Sequence, residues 1–511
     1  MKKLLLITIA LILLLPCAGM AATLEGVTLQ GVSVNTIVIP PAYGVDWDES
    51  NSSPTLVRTG TTTGETAAVS LSDSLLPVQA TMKRCILNDA GVVQYYLCST
   101  DSTLKADCST AANLDGTDGQ VMVEIPKFWY KYSYAGTTHS WSVSPVSQDG
   151  YEAYPAFYKD GAWVDHRYIG AYEGIGYDDS ASAYIDCGTS RADNWSGTTI
   201  DVANDKLGSV SGFAPMMDET RDEFRDIALN VGAGWRQQDF YLTSAVQLLY
   251  LVEYASFYSQ SVIGMGRTEL TGGTWVKDSY IGVSGKSNAD GNATGNTGGD
   301  TNDAYMSYRG IENFYGNLWK WVDGFNIGMA GAHDGANDAA ALTDSGESWV
   351  TNSLVGATIV NTTDVSSGVI TANDGTTVTA TLAGGTDDNW DTGDAYTINS
   401  VPWVSNTETD FADNTYVNYT LLKDTGGSGI TLHNASGYQT TLEQTKYGFL
   451  PSAVGGATNT YITDYYYQST GWRVSALGGH AANAGHAGFF DWTLLYTSSH
   501  VSTYIGGRVC F

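Results

Sequence analysis

The segment from Gly471 to Phe511 constrains this chain more than any other. It opens with Gly471-Trp472-Arg473-Val474 and passes through Gly478-Gly479-His480-Ala481-Ala482-Asn483-Ala484-Gly485-His486-Ala487-Gly488. It closes on Ile505-Gly506-Gly507-Arg508. A frame of Gly, Trp, Ile and Arg is interleaved with His480, Asn483, His486, Asp491, Thr493, Leu495, Tyr496, His500, Ser502 and Tyr504. The apolar members of that mixture follow neither the helix nor the strand period. From Gly478 to Gly507 there is no Lys, Glu, Gln or Met. A surface selected for solubility carries Lys and Glu; a surface built for contact is rich in Tyr, Ser, Gly and Asn. The window therefore reads as a contact surface carried on loops of a rigid support. Its ligand-contacting residues are His480, Ala482, Asn483, His486, Asp491, Thr493, Leu495, Tyr496, His500, Ser502 and Tyr504. Tyr496 and Tyr504 are the aromatic anchors. Trp472, Arg473, Trp492, Ile505 and Arg508 form the frame.

This pattern resembles the variable proteins of diversity-generating retroelements. In that family an error-prone reverse transcriptase rewrites template adenines. Asn codons then become codons for His, Asp, Thr, Leu, Tyr, Ser or Ala, and never for Lys, Glu, Gln, Met or Trp. The family's Gly-Gly, Ala-Gly, Trp, Ser-Ser and Ile-Gly-x-Arg positions occur here in the same order, with Ala481 standing where the family usually has Trp. Gly316-Asn317-Leu318-Trp319-Lys320-Trp321 resembles the G-N-V-W-E-W segment of formylglycine-generating enzymes, which share a C-type-lectin-like fold with the variable proteins. Tyr241-Leu242-Thr243-Ser244-Ala245 is similar to a helix start in the same fold. Val123-Glu124-Ile125-Pro126-Lys127-Phe128 and Gly176-Tyr177 look like phage tail proteins that carry it. The resemblance implies an α+β chain with a C-type-lectin-like domain over 121–511. It also implies that Trp319 and Trp321 are core, and that Asn317 is a candidate calcium ligand.

Residues 1–21 read as a signal peptide. Lys2 and Lys3 precede the apolar run Leu4 to Leu15, and Gly19-Met20-Ala21 supplies small residues for cleavage. The expected location is the cell surface, the periplasm or the exterior, with no transmembrane segment in the mature chain. A formal net charge of −30 repels phosphate backbones, so nucleic acid is not an expected partner. The partner class left is a protein or glycan ligand on another cell or a phage. Of the 6 cysteines, Cys17 lies in the leader. Cys98 and Cys108 are placed to close a small loop, and Cys187 with Cys510 is a plausible second pair.

Between the ends the chain divides into a β-rich region over 22–120 and the domain over 121–511. A Thr/Val/Asn/Asp/Gly-rich stretch over 350–400 reads as an inserted β-module, and 471–511 is the ligand-binding segment. Two helices are expected. Thr220-x-x-Glu223 is a capping box for the first, with Gly232 as its stop. Ser244-x-x-Gln247 starts the second, which runs to about Ser259 with one buried face.

An enzyme is not expected. Formylglycine generation needs a cysteine pair in the C-terminal part of the fold, and none occurs between Cys187 and Cys510. There is no Gly-x-Ser-x-Gly elbow and no His-Glu-x-x-His helix. No cofactor is expected beyond calcium, for which Asp387, Asp388, Asp391 and Asp394 offer a second candidate cluster. The alternative function is a formylglycine-generating (sulfatase-modifying) type enzyme or its inactive relative. A structural envelope protein is a third class, one that requires His480, Tyr496 and Tyr504 to be buried.

Overall fold

The computed structural model describes residues 42–187, 200–271, 281–299, 301, 303–412 and 419–511, and the backbone of four short strands within 23–38. The leader read at 1–21 lies outside the described residues. The chain is β-rich, with few helices. Among the described residues no helix is long and apolar enough to cross a membrane.

The elements that position the C-terminal window are labelled here in chain order. They are β1 (Lys83–Leu87), β2 (Gln120–Pro126), β3 (His166–Gly170), α1 (Arg221–Leu229), α2 (Phe240–Tyr254), β4 (Trp319–Ala332) and β5 (Ala395–Val404). Then follow β6 (Gly437–Leu442), β7 (Tyr465–Gln468), β8 (Arg473–Leu477), β9 (Trp492–Tyr496), β10 (Ile505–Gly506) and β11 (Val509–Cys510). One large sheet runs β5-β4-β8-β9-β7-β6, and β10 pairs in parallel with the start of β4. A second sheet orders Arg236–Gln237, β11, β3, β2, β1, Val93–Cys98 and Asp101–Lys105. The strands on either side of residue 120 therefore pair with one another: Met122 faces Cys85 across β2 and β1. The last strand joins the same sheet, with Cys510 opposite Ile169.

Both helices form, each for a local reason. Thr220 accepts from the Glu223 backbone N–H and the Glu223 carboxylate accepts from the Thr220 N–H, which satisfies two otherwise orphaned donors. That helix ends at Asn230, before the expected Gly232 stop. The second begins five residues earlier than the Ser244 box suggests. Asp239 is its N-cap, accepting from the Leu242 N–H, and Ala255 ends it in the left-handed region. Its expected single buried face is a correction: every residue but Tyr241 is buried. A helix apolar around its circumference belongs in the interior. Glu253, its one acid, is neutralised by Arg309 at 2.7 Å.

The insert begins where β4 ends and returns at β5, since Ala332 pairs with Ala395. Its strands Thr358–Asn361, Ser366–Asn373 and Thr377–Ala380 extend the large sheet beyond β5. They cover an apolar cluster of their own, which includes Trp349, Ile359, Ile370, Val378 and Trp390. Asp391 and Asp394, read from the sequence as part of a calcium candidate, accept hydrogen bonds from Asp338 N–H and Asn361 Nδ2, as Asp side chains in turns commonly do.

The cysteine expectation is half corrected. Cys98 and Cys108 form a disulfide, whereas Cys187 and Cys510 are both free and buried. Cys510 sits between β3 and the Arg236–Gln237 strand with Arg167 beside its sulfur, while Cys187 belongs to a different apolar cluster.

Candidate functional site

The window is built on β8 and β10, which pair with β4 at the centre of the large sheet, and on β9, which pairs with β8. The frame is deep. Trp492, Ile505 and Arg508 are all buried. The Arg508 guanidinium donates to the main-chain oxygens of Gly170, Glu312 and Asn313, so it ties the window to the second sheet. Burial pulls its pKa down to about 10. Trp472 and Arg473 are only half-buried, and Arg473 donates to its neighbour's carbonyl and to Ser469. Trp472 packs against two apolar clusters, and neither residue lines the cleft described next.

Between β8 and β9 the chain makes a glycine-rich loop, 478–488. Gly478 has φ +94°, and a Cβ there would stand 2.7 Å from the Phe314 carbonyl oxygen. Only glycine fits that close approach. Backbone bonds pin the loop from outside: Ala481 N–H to Asn317 O, Ala484 N–H to Thr268 O, and Gly316 N–H to Gly478 O. The loop is thus an irregular segment held on a rigid base.

A cleft of about 170 Å³ opens between this loop and β9. Its lining is Trp319, Tyr467, His480, Asn483, Thr493, Leu495, Tyr496 and Tyr504. Six of these are residues the sequence singled out. Asn483 accepts from the His480 N–H at 2.7 Å and donates to the Tyr467 hydroxyl at 3.3 Å. The Tyr467 hydroxyl meets His486 Nδ1 at 2.6 Å. The His480 ring lies 5.1 Å from that of Tyr504, and the His500 ring stacks on Tyr496 at 4.0 Å. The polar side chains of the cleft therefore hold the aromatic ones in fixed orientations.

The electrostatics are those of an uncharged site. Burial pulls the His480 imidazole down to about 4 and lowers His486 and His500 as well, so all three are neutral at pH 7. No carboxylate, lysine or arginine lines the cleft. At its floor the Thr493 hydroxyl is buried and has no hydrogen-bond partner among the described residues. The cleft is smaller than a typical small-molecule pocket of roughly 300 Å³ and upward. It has room for one ring or one side chain of a larger ligand.

Not every expected contact residue reaches the surface. Ala482 is exposed, and His486, Leu495 and His500 are half-buried around the cleft. Asp491 is a correction: at 0% exposure it turns under the loop toward Asp464 instead of outward. Ser502 is a second, at 8% exposure, in the turn where its carbonyl accepts from the Asp218 and Ile505 N–H groups. Thr493, at 1%, is reachable only through the cleft. Sequence reasoning missed Trp319 and Tyr467. Trp319 was read as core, which it also is. Tyr467 alternates with Tyr465 along β7, and that alternation was the available signal.

Asn317 is tied into the protein's own hydrogen bonds. Its amide donates to Glu173 and Gly282 O and accepts from Gly282 N–H, and Glu173 pairs with the buried Lys320 at 3.2 Å. Among the described residues no three His, Cys, Asp or Glu side chains converge on one point. A larger open cleft of about 650 Å³ lies between the insert and the 423–429 turn, and no window residue reaches it. In comparisons with protein-family models and with curated proteins, the chain matches none.

Proposed function

We propose that the chain is an exported ligand-binding protein of the adhesin type, whose cleft is the centre of a diversifiable contact surface on a C-type-lectin-like scaffold. The observation that supports this reading most is the convergence of His480, Asn483, Thr493, Leu495, Tyr496 and Tyr504 on one cleft, beside a buried frame of Trp492, Ile505 and Arg508. Residues scattered through 25 positions of sequence, with no common period, share one concave surface because β8 and β10 pair with β4 and β9 pairs with β8. That is the arrangement expected where side chains change and the support does not.

The occupant is an uncharged ring or side chain presented by a protein or glycan on another cell or a phage. Four aromatic rings and neutral imidazoles favour stacking over ion pairing. Tyr496 and Tyr504 offer large contact area at low entropy cost. Binding is the whole activity; no step of chemistry is assigned to the cleft.

A search of the DNA flanking the gene tests this. The reading expects a near-copy of the segment encoding residues 471–508 beside a reverse-transcriptase gene, with mismatches confined to template adenines. A copy whose mismatches fall on the codons for Trp492, Ile505 and Arg508 contradicts it.

A further inference from the structure

We propose that Asp464 and Asp491, together with the side-chain oxygen of Gln439, hold one hard divalent cation of the calcium class beneath the 478–488 loop. The inference stands on the geometry below the cleft and does not rest on the ligand-binding reading.

Asp464 precedes β7 and Asp491 precedes β9, two strands that pair in parallel with Tyr466 opposite Trp492. Both carboxyls are buried, at 1% and 0% exposure. Neither has a lysine, arginine or histidine partner in any ion pair among the described residues. Asp464 accepts from the Phe490 N–H at 2.8 Å and from the Thr463 hydroxyl at 3.3 Å. Both oxygens of Asp491 have no partner. A buried carboxyl without donors or counter-charge is among the most costly groups in a fold, and its presence calls for an explanation such as a bound ion.

Gln439 is an independent observation. The β6–β7 register, Gly437 to Tyr466 and Tyr438 to Tyr465, carries it across from Asp464. Its amide nitrogen donates to the Phe490 carbonyl at 2.8 Å, which brings the end of the Gln439 side chain to the residue before Asp491. That oxygen is fully buried and has no partner either. The loop glycines close the site from above. A Cβ on Gly488 would fall 2.2 Å from the Asp464 carboxylate, and one on Gly479 would fall 2.9 Å from Asp491 Oδ2. Both carboxylates thus face the main chain of one loop. The donors are all oxygen, with no thiolate and no imidazole among them, which suits calcium and disfavours zinc. Two charges from the pair balance a divalent ion, and loop carbonyls or waters complete the shell.

The test uses the mature chain, stripped of metal with EDTA and titrated calorimetrically with calcium chloride in moderate salt, with Tm followed alongside. The expected result is uptake of one equivalent and a Tm rise of about 3 °C at calcium a hundredfold above Kd. Asp491→Asn and Asp464→Asn abolish the uptake. The paired change Asp387→Asn and Asp388→Asn, in the exposed acidic turn of the insert, leaves it intact. Wild-type protein that takes up no stoichiometric calcium and melts identically with and without EDTA overturns the proposal. So does uptake that survives in both the Asp464 and Asp491 variants. Should those variants fail to fold, the wild-type titration and melt decide alone.

Discussion

Thr493 carries an unpaired polar group within the fold. Its hydroxyl is buried without a partner at the floor of the cleft, an arrangement that folding alone does not favour. Thr493→Val removes the unpaired group at nearly constant volume. We expect urea unfolding to give a stability unchanged or higher by about 1 kcal/mol. His480 adds a pH dependence. Burial holds its imidazole near 4, below the ordinary 6.5, so the folded state prefers the neutral ring. Its contribution is complete above pH 6.5 and is lost as the pH falls toward 4, with an upper bound of about 3 kcal/mol. His480→Asn should flatten that part of the stability–pH curve. An identical slope in the variant means that other groups carry it. At this scale six residues of the candidate cleft are legible in the sequence, because exclusion of Lys, Glu, Gln and Met is a property of the sequence itself. The burial of Asp491 and Ser502 was not, because nothing local tells which way a side chain turns at the end of a strand.

Among the elements, α1 was readable because its capping box is local. The Thr220 and Glu223 side chains satisfy each other's backbone N–H groups with no help from elsewhere. Thr220→Ala should cost about 1 kcal/mol in chemical denaturation; a cost near zero would mean that packing of Phe224 and Ile227 alone holds that end. The start of α2 departs from its sequence signal for the opposite reason. Ser244 and Gln247 match a capping box in sequence, yet the Gln247 amide donates to the Phe489 carbonyl and the Ser244 hydroxyl meets Tyr154. Long-range packing took both ends of the apparent box. The extent of the insert was likewise set by a distant pairing, Ala332 with Ala395, rather than by its composition.

At the scale of the molecule, strands from the two halves of the chain share sheets. β11 pairs with β3, Arg508 reaches the carbonyls of Gly170, Glu312 and Asn313, and the frame of the window is thereby fixed by residues far away in sequence. No local pattern could have announced these partners, which is why the 22–120 and 121–511 division does not describe the sheets. The net charge of −30 acts on the same scale. Self-repulsion of that size should make Tm rise as sodium chloride goes from about 10 to about 150 mM, where screening shortens to about 8 Å. A Tm independent of salt would mean that the charges are already neutralised by bound cations.

The separation of a fixed frame from a changeable cleft is tested most directly by sequencing codons 471–508 from many individual cells of one population. The account predicts substitutions at the codons for His480, Asn483, Thr493, Leu495, Tyr496 and Tyr504, and none at those for Trp492, Ile505 and Arg508. A window identical in every cell, or one that varies as freely in its frame as in its cleft, contradicts it.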